Sequence, residues 1–139
     1  MKKLSNLFIL LFLINCQSQK NIDNNELIGT WQLIEINRSL VDENFDSKIK
    51  NSKRTITFFA DNSFTSKGNF CYLKNENDFK GKGIFENSPY SGDLKNYKIL
   101  IPENCNKNLK PLLEIKNGLL IINYLNGEGS SAIFKKIKN

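Results

Sequence analysis

Residues 111–125, PLLEIKNGLLIINYL, decide the fold because they join two apolar runs through a turn of two residues. Each run has the length of a β-strand. Asn117 and Gly118 form the pair that tight β-hairpins favour, since both turn positions need a positive φ. We therefore predict an antiparallel hairpin at this point.

The chain on either side repeats this pattern of short strands separated by turn residues. Strand-like runs occupy residues 28–36, 54–60, 64–73, 78–86, 97–101 and 130–137. With the hairpin they make about eight strands, which predicts an all-β domain over 27–139. A small antiparallel up-and-down barrel is expected, and a sandwich is the alternative. Residues 39–53 are predicted to form a long loop with one helical turn.

The N-terminus has the pattern of an export signal. Lys2 and Lys3 precede the apolar residues 7–14, a run far shorter than the roughly 20 residues that span a membrane. Leu13-Ile14-Asn15-Cys16 resembles a bacterial lipobox, which implies a signal peptide over 1–15. Residues 16–26 are then an acylated Cys16 and a polar, flexible tether. A plain signal with an incidental cysteine is the alternative.

The lipobox resemblance implies a cellular location. Two or more acyl chains anchor a protein stably to a membrane, so membrane lipid is the expected partner of Cys16. The residue after the cysteine is Gln17 and not an acid. By resemblance to bacterial export rules, this implies a lipid-anchored protein of the cell envelope, in the outer membrane of a Gram-negative bacterium.

A family resemblance extends over nearly the whole mature domain. Gly29-x-Trp31 opens the first strand, and ITFFADNSFTSKGNF at 56–70 follows about 20 residues later. Together they resemble the bacterial lipocalin-like lipoproteins. That resemblance implies that Trp31 closes the base of the barrel. The family's arginine that packs on this Trp is absent, and the last strand offers Lys135 and Lys136 instead. META-domain lipoproteins are the second resemblance.

Two cysteines remain once Cys16 is assigned to lipid. Cys71 and Cys105 would meet an oxidising environment in an exported domain, where cysteines usually pair. We predict a disulfide between them. A reactive thiol is the alternative, but its usual partner is histidine, and the chain contains none.

The absence of histidine also limits catalysis. It removes the commonest general base and the commonest metal ligand, and the chain has no phosphate-binding glycine motif. Asp61, Glu86 and Asp93 fall near predicted strand ends, but no pair stands out, so we interpret them as surface charge. We predict no enzyme activity, no cofactor, no metal and no nucleic-acid partner.

Two functions remain open for such a barrel. The first is binding of a small apolar ligand, with Phe58, Phe70, Phe79 and Phe85 as the candidate lining. The second is an envelope interaction or structural role with a filled core and no ligand. A barrel of about eight strands permits both, because its interior is just wide enough to be filled by side chains or to hold one small molecule.

The lipobox generates the first testable prediction. Cys16→Ala removes the thiol that would carry the lipid, so the variant should lose the acyl mass and leave the membrane fraction. Mass spectrometry of the N-terminal peptide and flotation of membranes measure both effects. A Cys16→Ala protein that stays membrane-bound at its normal mass would exclude the lipoprotein interpretation.

Overall fold

The computed structural model describes residues 22–37, 49, 51–68, 70–71, 80–105, 108–125 and 129–138. Within these ranges the strands are β1 Gly29–Asn37, β2 Thr55–Phe58, β3 Ser63–Lys67, β4 Lys80–Asn87, β5 Lys98–Pro102, β6 Leu112–Lys116, β7 Leu119–Asn123 and β8 Ser131–Lys138. A short helix, α1, spans Asn24–Leu27, and a 3-10 helix spans Gly92–Asn96. Among the described residues, no helix is long and apolar enough to cross a membrane.

The eight strands form one closed antiparallel barrel in sequence order. Each strand pairs with its neighbours along the chain, and β1 pairs with β8 to close the cylinder. The prediction of an up-and-down barrel is therefore confirmed. Closure matters physically because it leaves no unpaired strand edge.

The predicted hairpin is confirmed at its turn. Leu119 pairs with Lys116 across Asn117 and Gly118, whose φ values are 53° and 73°. Both are positive, as this tight turn requires.

The core fills the inside of the barrel in the pattern expected of strands with alternating faces. In β4, Gly81, Gly83 and Phe85 point inward while Lys80, Lys82 and Ile84 point outward. The inward residues of the other strands include Trp31, Leu33, Ile56, Phe64, Leu100, Leu113, Leu120, Ile122 and Phe134, each at most 3% exposed.

The two ends of the barrel differ. We call the end where β1 begins the helix end, because α1 lies there together with the β2–β3 turn (59–62), the β4–β5 connection (88–97), the β6–β7 turn (117–118) and the end of β8. We call the opposite end the disulfide end. There Cys71, after β3, is bonded to Cys105, after β5, with their Cα atoms 5.7 Å apart.

This disulfide confirms the predicted pairing. It joins two connections that are not consecutive along the chain, with 34 residues between the cysteines. In the chain-entropy model, a cross-link over such a loop stabilises a fold by roughly 3 to 4 kcal/mol. The bond therefore fastens the disulfide end, where long connections meet.

Two elements depart from the sequence predictions. The tether was predicted to extend through Glu26, but α1 includes Asn24 to Glu26, and Asp23 caps its first turn by accepting a hydrogen bond from the Asn25 N–H at 3.1 Å. The 3-10 helix was not predicted. Most of the long loop predicted over 39–53 lies outside the described residues.

Candidate functional site

Four phenylalanines form a continuous cluster inside the barrel. The rings of Phe58 and Phe85 meet edge to face with centroids 5.4 Å apart, and those of Phe64 and Phe70 do the same at 5.5 Å. Phe58 and Phe64 join the two pairs, with centroids 6.1 Å apart. All these distances lie in the favourable range for aromatic contacts. Of the predicted ligand-binding residues, the structure thus gathers Phe58, Phe70 and Phe85, while Phe79 lies outside the described residues.

The cluster occupies the space left by two glycines of β4. A Cβ atom added to Gly81 would lie 2.8 Å from the Phe70 ring, and one added to Gly83 would lie 2.8 Å from the Phe64 ring. Real Cβ contacts are essentially never so short, so the rings lie directly against bare backbone. The interior is therefore filled in these layers by aromatic rings packed over glycine.

A cleft remains at the disulfide end of the interior. Its walls are mainly apolar, formed among others by Leu33, Phe70, Tyr124 and Phe134, and the Arg54 and Lys67 side chains also line it. Its volume is about 10 Å³, roughly the space of a single water molecule. In this conformation it does not hold an apolar molecule the size of a fatty acid.

Tyr124 holds the disulfide end together from inside. Its side chain is 3% exposed, and its phenol Oη donates a hydrogen bond of 2.6 Å to the Phe70 carbonyl oxygen. Burial raises the pKa of the Tyr124 phenol, and the nearby Arg54 partly opposes that shift. Since Phe70 precedes Cys71, the hydrogen bond and the disulfide fix adjacent residues of the same connection.

Trp31 closes the opposite end, as the family resemblance implies. It is 2% exposed, and its indole Nε1 donates to the Leu27 carbonyl oxygen of α1 at 2.8 Å. The Lys136 Nζ lies 5.2 Å from the Trp31 ring centroid and donates to the Glu26 carbonyl oxygen at 3.0 Å. Lys136 thus supplies the cation that packs on this Trp, and Gly29 begins the strand in a left-handed backbone conformation with φ 124°.

One lysine is buried near the same end. Lys98, the first residue of β5, is 8% exposed, and its Nζ donates to the Asn87 Oδ1 at 3.0 Å. Burial lowers the pKa of the Lys98 amine, and the Asp23 carboxylate partly opposes that change. Its hydrogen bond to a neighbouring strand indicates a structural role.

The structure places the three carboxylates that the sequence singled out on the surface. Asp61, Glu86 and Asp93 are all exposed. The pKa of Asp61 is lowered by hydrogen bonds from the Ser63 side chain and backbone, which make a local turn. Within the part of the chain that the structure describes, no three acidic or cysteine residues gather as metal ligands.

The sequence has two basic stretches, residues 48–54 and 135–138, and their described residues lie at opposite ends of the barrel. Lys53 and Arg54 precede β2 at the disulfide end, while Lys135, Lys136 and Lys138 lie near the end of β8 at the helix end. They therefore do not combine into one basic patch. A continuous basic surface is the usual footprint of a nucleic-acid-binding protein.

Sequence reasoning missed Tyr124 and α1. A signal for Tyr124 was present, since strict alternation after Leu120 and Ile122 places it on the inward face, and a buried tyrosine needs an acceptor for its hydroxyl. The signal for α1 was weaker. Asp23 before NNEL is a good cap, but the helix has only four residues.

Tyr124→Phe tests the inner fastening of the disulfide end. It leaves the buried Phe70 carbonyl without its donor, which should lower the free energy of unfolding by about 1–3 kcal/mol. Because the folded-state pKa of Tyr124 is raised, its contribution to stability is present below the ordinary tyrosine pKa of about 10 and falls as the pH rises further. Between neutral and strongly alkaline pH, the free energy of unfolding of the variant should therefore fall less than that of the parent protein.

Urea unfolding from neutral to alkaline pH measures both effects. Tyr90→Phe is the matched control, since Tyr90 is exposed and its substitution should change neither quantity. Equal stability of Tyr124→Phe and the parent protein at neutral pH would show that the hydrogen bond does not fasten this end.

The chain was compared with known proteins at three levels. No family model, no curated protein and no solved structure matches it. The resemblance to the lipocalin-like and META-domain lipoproteins therefore stays a prediction from Gly29, Trp31 and the strand pattern. The case for a function rests on the geometry of the barrel.

Proposed function

We propose that the chain is a lipid-anchored, non-catalytic β-barrel module of the bacterial cell envelope that acts through its outer surface. The observation that carries the proposal is the filled interior. Four phenylalanine rings pack against one another and over the backbone of Gly81 and Gly83. A binding barrel instead keeps a cavity of several hundred Å³ for its ligand.

The site chemistry supports a non-catalytic role. The titratable side chains buried most deeply are Tyr124 and Lys98, and each donates its hydrogen bond to another part of the barrel. The Tyr124 side chain lines the cleft together with Arg54 and Lys67. Its hydroxyl and the Lys98 amine are nevertheless engaged in these hydrogen bonds. Both fasten strands and connections, so the buried polar groups serve the scaffold.

The closed ends also favour a rigid module. Trp31 and α1 cover the helix end, while the disulfide and the Tyr124 hydrogen bond fasten the other. Rigid scaffolds of this kind present surface residues and loops in fixed positions.

A second function, binding of a small apolar molecule, has one observation in its favour. The cleft beside Phe70, Tyr124 and Phe134 is apolar, and the cationic side chains of Arg54 and Lys67 contribute to its wall. Outward movement of these side chains would enlarge it. We rank this function second because the cleft has room for about one water molecule.

Native mass spectrometry of the full protein purified from its own host distinguishes the two proposed functions. The first function predicts the mass of residues 16–139 with acyl groups and one disulfide, and no further molecule. A stoichiometric additional mass that host lipid extract exchanges would support the second function. An unacylated chain would contradict the lipid anchor in both.

A further inference from the structure

Three of the five exposed large apolar side chains in the described part of the chain belong to the helix end. Among the described residues, the exposed large hydrophobic ones are Phe59, Ile84, Tyr90, Leu125 and Ile137. Phe59 lies in the β2–β3 turn, Tyr90 in the β4–β5 connection and Ile137 near the end of β8, so all three belong to the helix end. Ile84 is on the outer wall of β4, and Leu125 alone belongs to the disulfide end.

The side chains at the helix end have substantial free area. Phe59 is 41% exposed, Tyr90 38% and Ile137 52%. Single exposed hydrophobic residues are ordinary on protein surfaces, but here they lie on three separate connections or strand ends around one end of a barrel. All three lie at the end of the barrel where the N-terminal chain enters α1.

The chain from the lipid joins the barrel at this same end. Ile22 packs against the core and leads into α1, and α1 is tied to the rim of the barrel by a hydrogen bond of 3.1 Å between the side chains of Asn24 and Asn62. The six residue steps from Cys16 to Ile22 reach about 20 Å at most. An acylated Cys16 therefore keeps Ile22, where the chain enters the helix end, within about 20 Å of the lipid.

Charges at the helix end do not select one lipid type. Exposed lysines and exposed carboxylates both occur there, among them Lys95, Lys116 and Lys138 and Asp61, Glu86 and Asp93. Mixed signs give little attraction to anionic lipids, which polybasic clusters require. Apolar and aromatic side chains are the groups that favour the headgroup boundary of a membrane.

We propose that the helix end lies against the membrane surface, with Phe59, Tyr90 and Ile137 in the headgroup region. The disulfide end, with its cleft, then faces away from the membrane. This inference rests on the proposed function, because it requires lipid on Cys16. It adds a fixed orientation to a protein that the acylated N-terminal chain alone would only keep near the membrane.

Tryptophan quenching by brominated lipid tests the orientation. The full-length, lipid-modified protein is reconstituted into vesicles of phosphatidylethanolamine and phosphatidylglycerol, with or without brominated phosphatidylcholine. Phe59→Trp and Leu125→Trp are a matched pair, since each replaces an exposed hydrophobic side chain at one end. Trp31 is the only other tryptophan, and the parent protein gives its contribution for subtraction.

We expect brominated lipid to remove most of the added emission of Phe59→Trp and to leave that of Leu125→Trp unchanged. Unchanged thermal midpoints check that both variants keep the fold. Equal quenching of the two variants, stronger quenching of Leu125→Trp, or quenching of neither would overturn the orientation. The last result would mean that a protein partner or a second copy covers the helix end, or that it faces water.

The same preparation separates this inference from the proposed function. Protein that does not float with the vesicles, or that carries no acyl mass, contradicts the anchor and with it the orientation. Protein that floats and is acylated, but fails the quenching comparison, contradicts the orientation alone. High salt should not reduce the quenching. A loss of quenching in high salt would show that charge, and not apolar contact, holds the helix end against the membrane.

Discussion

The packing of aromatic rings over bare backbone is the constraint on which the rest of this structure depends. A closed barrel of eight strands has an interior of limited width, which side chains can fill or which can hold one small molecule. Here β4 contributes no side chain at Gly81 and Gly83, and the rings of Phe70 and Phe64 occupy the space. The large residues of β3 and of the connection after it therefore pack over the small residues of the neighbouring strand β4. The same packing leaves little interior volume for a ligand.

Among the described residues, a few groups fasten each end of the barrel. Trp31 lies under α1 at one end with Lys136 beside its ring, and Tyr124 and the disulfide hold neighbouring residues at the other. The seal at the helix end also sets where the N-terminal chain leaves the domain. The fold thereby links the interior packing to the direction in which a lipid anchor would pull.

Local signals in the sequence were sufficient for the fold, and long-range contacts were not predictable from it. Asn117-Gly118 specifies its turn through backbone conformation, and alternation along β4 specifies its faces, so both could be predicted. The bond between Cys71 and Cys105 followed from the number of cysteines and the export signal. In contrast, the contact of Lys136 with Trp31 depends on the register of β8 against β1. The hydrogen bond from Tyr124 to Phe70 joins residues 54 positions apart, and no local pattern encodes such a distance.

Whether the phenylalanines line a cavity or fill it could not be decided from the sequence, because a phenylalanine on an inward face does both equally well. The answer depends on what the rings pack against, and the glycines of β4 gain meaning only once the register of β3 against β4 is known. The structure gives tight contacts there. A module with such a core is expected to interact through its exposed ends and walls.

Nuclear magnetic resonance of the mature protein under xenon pressure tests the filled interior most directly, because xenon enters dry apolar cavities. The account predicts no saturable shift in the resonances of Ile56, Phe58, Phe64 and Phe85. Phe85→Ala, which opens a cavity in the cluster, should show such shifts and serves as the positive control. Saturable shifts of the same residues in the parent protein would reveal an interior cavity and contradict the account.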